Sequence, residues 1–166
     1  MKNTINYTLA FAMITAALLA TGCEIKPINH GHYQTEYVPR PISLLLPKQV
    51  KFHGFTQISK DQKTIEAYLS ALDSYNDNNK AFGSFRFELY QYNAFAPGKK
   101  GKQLAQWEFV GLQDPKLNAL HWDSISQSYK FSMKGGPFTA SKYVLHAVFS
   151  SKFSKRLTCD KILLNQ

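Results

Sequence analysis

The chain has 166 residues, 44% hydrophobic and 14% aromatic, with 20 Lys and Arg against 11 Asp and Glu and a formal net charge of +9. That length suits one domain with a real core. Two cysteines are too few for a disulfide-stapled scaffold or a zinc site built from thiolates.

The first segment, "MKNTINYTLAFAMITAALLATGC", carries one basic residue, Lys2, then an apolar run from about Leu9 to Ala20. A membrane-spanning helix needs ~20 apolar residues, so this run is short, and its form is that of a secretory signal. The stretch "LLATGCE" ends the run in small residues and a cysteine, and it resembles the lipobox of bacterial lipoproteins. That resemblance implies a signal peptide over 1–22 and a lipid-modified Cys23 as the mature N-terminus. Glu24 in the next position leans toward the outer membrane, with the protein facing the periplasm. Removing Lys2 lowers the net charge from +9 to +8. A basic protein outside the cytoplasm meets anionic lipid or cell-wall polymer, so no nucleic-acid partner is expected. The covalent lipid is the only cofactor expected.

Residues 23–46 hold Pro27, Pro39 and Pro41 and show no apolar period, which reads as a tether with a coil span of roughly 25 Å. "SLLLP" at its end is expected to pack on the domain edge. The domain occupies 47–166. Within it, polar and apolar residues alternate over Val50–Ile58, Lys63–Leu72, Phe82–Tyr92, Leu104–Leu112, Ser128–Met133, Lys142–Ser150 and Arg156–Leu164. The second of these also fits a helical spacing through Ile65, Tyr68, Leu69 and Leu72. Asp114 and Pro115 open a helical turn in "DPKLNALHWD" as cap and first residue. Seven strands with short connections predict an all-β fold, an antiparallel β-sandwich of immunoglobulin-like or transthyretin-like form. The expected core is Phe85, Phe87, Leu89, Trp107, Phe109, Tyr129, Phe131, Tyr143, Leu145, Ala147 and Phe149. Cys159, without a partner, is expected to serve as a small buried apolar residue.

The blocks "LLLPKQVKFHGFTQI", "FGSFRFELYQY", "AQWEFVGLQDPKLNALHWDSISQSYKF" and "KYVLHAVFS" together resemble a family of small bacterial lipoproteins with a β-sandwich domain. The likeness covers roughly 44–164, and "FRFELY" and "DPKLNALHWD" are its most specific parts. It implies a lipid-anchored sandwich and assigns no catalytic or ligand residue.

Four groups of residues bear on function. The loop "NAFAPGKKGKQ" (93–103) offers Phe95 beside Lys99, Lys100 and Lys102, which suits an anionic surface or an acidic protein partner. Tyr90, Tyr92 and Trp122 would form a glycan platform if the fold brought them together. Asp73, Asp77 and Asn79 supply oxygens for a calcium ion, although Asp and Asn are equally what a tight turn requires. His121, Asp123 and Ser124 stand almost in sequence, whereas Ser–His–Asp catalysis needs groups converging from separate segments, and no Gly-x-Ser-x-Gly elbow is present. No catalytic residue is therefore expected. The expectation is a non-enzymatic interaction protein of the bacterial envelope, with a glycan or cell-wall-polymer module as the alternative and a calcium-dependent membrane module behind it.

Overall fold

The structure is a computed structural model that describes residues 40–165. Cys23, the signal segment and the tether as far as residue 39 lie outside the described residues. Two antiparallel sheets face each other. The first contains β1 (Gln49–Phe52), β2 (Gln57–Ile58), β3 (Thr64–Leu72), β6 (Trp122–Asp123) and β7 (Ser128–Lys134), in the order β1-β3-β7-β6 with β2 also paired to β3. The second contains β4 (Ser84–Tyr92), β5 (Lys100–Phe109), β8 (Lys142–Ser151) and β9 (Ser154–Leu164), in the order β5-β4-β8-β9. Two short helices, α1 (Arg40–Leu44) and α2 (Pro115–His121), and a single 3-10 turn at Pro97–Lys99 complete the described elements. The all-β sandwich is as expected, with nine strands in place of seven.

Period-two alternation builds the core. Phe85, Phe87 and Leu89 point inward from β4, and Leu145, Ala147 and Phe149 meet them from the neighbouring β8 in register. From the opposite sheet come Leu69, Tyr129, Phe131 and Met133. The ring of Phe131 lies 5.0 Å from Phe87 and 4.5 Å from Phe109, centroid to centroid, so aromatic packing joins the layers. Trp107 and Phe109 are only half-buried, because β5 is the edge strand. Segment 63–72 takes the strand alternative: Ile65, Ala67, Leu69 and Ala71 are all fully buried on one face.

Long side chains clasp the two pairs of sheet edges. Trp107 on β5 donates its indole N–H to the Lys134 carbonyl on β7 at 2.8 Å. Lys161 on β9 donates to the His53 carbonyl at 2.8 Å, on the bend between β1 and β2. That bend breaks the expected continuous strand 50–58 in two. Thr56 Oγ1 donates to the Tyr68 carbonyl and accepts from the Tyr68 N–H, both at 2.9 Å, taking the place of a backbone ladder partner.

Strand direction gives the sandwich two distinct ends. The chain enters beside the end of β3, where the Ser74 N–H donates to the Leu44 carbonyl and the Lys48 N–H to the Leu72 carbonyl. "SLLLP" thus lies on the domain edge, and Pro47 is buried there. We call this the near end. It also holds the 73–83 connection, α2, the turn after β6 and the β8–β9 hairpin. The far end holds the 59–63 turn, the β4–β5 hairpin, the 135–141 connection and the close of β9.

Candidate interaction surface

The β4–β5 hairpin is tighter than its sequence suggests. Lys100 opens β5 instead of lying in a loop, so the connection is 93–99 and both Lys100 and Lys102 are strand residues. A bulge makes this possible: the register slips between Leu89 and Tyr90 and again before Tyr92. Gly101 sits against it, where a β-carbon would come within 3.0 Å of the Gln91 carbonyl oxygen.

The tip is closed by its own hydrogen bonds. Asn93 accepts from Phe95 N–H through its side chain at 3.1 Å, and the Asn93 N–H donates to the Lys99 carbonyl at 2.9 Å. Gly98 and Lys99 both adopt left-handed backbone, at φ 63° and 60°. Glycine does so freely, whereas lysine is strained by ~1 kcal/mol. Phe95 is held out by this frame at 99% exposure.

Cations share this end of the sandwich. Lys60, Lys63, Lys99, Lys102, Lys134 and Lys142 are all exposed on the far-end connections or the strand ends that flank them. Among the described residues of those connections, 59–63, 93–99 and 135–141, Asp61 is the only carboxylate. Ser59 and the Lys63 N–H hydrogen-bond to it.

The outer face of the second sheet continues this surface with a linked set of ionisable groups. Lys100 Nζ lies 2.8 Å from the Asp160 carboxylate and 3.0 Å from His146 Nδ1, and His146 Nδ1 lies 2.6 Å from the same Asp160 oxygen. Beside them, Tyr90 donates its hydroxyl to Glu88 at 2.6 Å, and Arg86 Nε stands 2.8 Å from the other Glu88 oxygen. Burial alone would raise the Glu88 carboxyl, but the Tyr90 hydroxyl and the Arg86 charge outweigh it and hold the group below its ordinary range. The same hydrogen bond, with burial, pushes the Tyr90 phenol up to about 12. Lys100 and Lys142 lie over the rings of Tyr90 and Tyr92 at 5.7 and 5.6 Å.

The structure therefore brings Phe95, Lys99, Lys100, Lys102, Tyr90 and Tyr92 to one region, but not Trp122. Trp122 belongs to β6 in the other sheet and packs edge-on against Tyr129 at 5.2 Å. The expected glycan platform does not assemble, and its two tyrosine rings already carry lysines.

The oxygen-rich loop is a turn lock. Asp73 is buried, and its carboxylate accepts from the N–H groups of Tyr75 and Asp77 at 2.8 and 3.1 Å and from the Asn79 amide at 2.9 Å. Its oxygens are thereby committed, and the described residues hold no cluster of three or more His, Cys, Asp and Glu. His121, Asp123 and Ser124 do not converge. His121 packs between Phe109 at 5.3 Å and Phe131 at 5.0 Å, while Asp123 accepts from the Ser126 hydroxyl at 2.6 Å. Cys159 is half-buried, and desolvation with the Asp160 charge beside it pushes its thiol up to about 12. An open groove of about 680 Å³ runs beside β6 and β7, lined by Phe55, Tyr68, Trp122, Ile125 and the Lys130–Glu66 ion pair's lysine.

No family model, curated protein or solved structure matches the chain.

Proposed function

We propose that the chain is a lipid-anchored protein of the bacterial envelope whose non-catalytic sandwich holds an acidic partner at its far end. The supporting observation is the asymmetry of charge there. Six exposed lysines and one carboxylate that is already hydrogen-bonded share this end with a phenylalanine held in the open by a closed turn. A one-sided excess of cations beside an exposed aromatic is complementary to an anionic surface. The lipobox-like "LATGC" supplies the anchor in this reading, with lipid on Cys23 and the domain facing the periplasm from the outer membrane. Two acyl chains or more hold a protein on a bilayer where one does not. Glycan recognition is less well supported, since Trp122 stands apart from Tyr90 and Tyr92.

Fluorescence anisotropy with labelled poly-glutamate as a model acidic partner tests this. The protein should bind with strong dependence on salt, because exposed charges are screened over ~10 Å at 0.1 M. Combining Phe95→Ser, Lys99→Glu and Lys102→Glu should weaken binding at least about tenfold, since two reversed charges and one lost aromatic together exceed ~1.4 kcal/mol. Equal affinity for the triple variant would remove the far end from the reading.

A further inference from the structure

The near end differs in its exposed apolar side chains. Among the described residues, fourteen large hydrophobic side chains are exposed, and nine of them lie on near-end segments. The incoming chain contributes Ile42, Leu44 and Leu45. The 73–83 connection adds Tyr75 and Phe82. Val110 follows β5, and α2 turns Leu117 and Leu120 to solvent while burying Asn118. Ile125, in the turn after β6, is 94% exposed. By contrast the far end exposes Phe95 and Leu164. Hydrophobic side chains scattered singly over a surface are ordinary, but a majority gathered on one end marks a docking face.

We propose that the near end docks on the surface of a phospholipid bilayer, the one that holds the anchor. This inference rests on the anchoring reading above. Two observations name the occupant. First, the chain enters the sandwich at this end, and only residues 23–39 separate the lipid-bearing Cys23 of that reading from Arg40, so a short anchored tether delivers this face to the membrane first. Second, Lys48, Lys80, Lys116, Lys155 and Arg156 are exposed around the same end. The carboxylates of its loops are Asp73, Asp77, Asp114 and Asp123, fewer than the cations, and Asp73, Asp114 and Asp123 are hydrogen-bonded to backbone N–H groups of their own loops. Apolar side chains among cations suit the headgroup region of a bilayer that contains anionic lipid. The docked sandwich then stands on end and carries its lysine-rich surface away from the bilayer.

The test uses the full lipidated protein in vesicles of phosphatidylethanolamine and phosphatidylglycerol. In a Cys159→Ala background, single nitroxide labels are placed at Leu120→Cys or Phe95→Cys, and collision with oxygen and with a water-soluble nickel chelate is measured by electron paramagnetic resonance. Docking requires the Leu120 label to be at least about fivefold less accessible to the chelate than the Phe95 label, with oxygen access reversed. It also requires Leu117→Ser with Ile125→Ser to raise chelate access at Leu120 while the protein stays vesicle-bound. A vesicle-bound protein whose two labels are equally wet, or whose Phe95 label is the shielded one, overturns the docking and leaves the anchor standing. Spin–spin broadening at the Leu120 label would show that a second copy covers the face, which also overturns it. A protein that does not partition with the vesicles at all removes the anchor and the docking together.

Discussion

Tyr129→Phe removes one hydroxyl from the centre of the near end. That hydroxyl is fully buried; it accepts from the Ala81 N–H at 2.7 Å and reaches the Asn118 side-chain oxygen at 3.0 Å and the Ala81 carbonyl at 3.2 Å. Asn118 in turn donates its amide to the carbonyls of Ala81 and Leu112 at 2.9 and 2.7 Å. The network ties β7 to α2 and to the 73–83 and 110–114 connections, which cross between the sheets outside the strand ladders. Without the hydroxyl, the Ala81 N–H has no other partner, and Ala81 is fully buried. A buried polar group left unpaired costs ~1–3 kcal/mol, and Asn118 Oδ1 loses its hydroxyl partner at the same time. The expected loss is ~2–4 kcal/mol, a large share of the ~5–15 kcal/mol that holds a typical domain together. Urea unfolding followed by tryptophan fluorescence should show a lower midpoint at unchanged slope. Burial raises the Tyr129 phenol above its ordinary value, so it keeps its proton and the loss should be the same from about pH 6 to 8. A loss under about 0.5 kcal/mol would refute the account of how the near end is held together.

Glu88→Gln should flatten the pH dependence of stability at both extremes. The Glu88 carboxyl is held low, so its contribution is complete above the unfolded value of ~4.3 and is lost as pH falls through the folded one. Tyr90 is pushed up to about 12, so its contribution is complete below its unfolded value and is lost as pH rises toward that figure. The substitution should cost ~1–2 kcal/mol at neutral pH, read from urea midpoints across the pH range. In a Cys23→Ser protein, native Cys159 should react with iodoacetamide at least ~100-fold more slowly than in denaturant, since so high a thiol pKa leaves almost no thiolate. Lys161→Met keeps the aliphatic stem and deletes the clasp on His53. It should cost ~1 kcal/mol and speed hydrogen exchange at residues 53–56, as read by mass spectrometry.

The sheets were legible in the sequence wherever burial obeys a strict period of two. Phe85, Phe87 and Leu89, or Leu145, Ala147 and Phe149, announce a face because each strand is covered on one side. Alternation fails where a strand is broken or very short. Gly54 within 50–58 was a turn signal outweighed by the apolar residues around it, and β6, with two residues, has no period to detect. Lys100 and Lys102 read as loop residues because lysine and glycine are poor strand formers, yet pairing across a bulge overrides propensity. Which residues share a surface was not legible. Tyr92 and Trp122 are assigned to different sheets only by the crossing between the layers. The gathering of exposed hydrophobic side chains at one end likewise depends on strand direction, which no local pattern encodes.

Strand β9 runs eleven residues from the β8–β9 hairpin to the opposite pole of the body, a length of roughly 36 Å at ~3.3 Å per residue. A stiff rod of that size behaves as a ruler. In the proposed function, a partner held by Phe95 and the far-end lysines is kept about one sandwich height from the point where the polypeptide arrives. Under the proposed docking, lengthening the leader before Arg40 would leave that spacing intact.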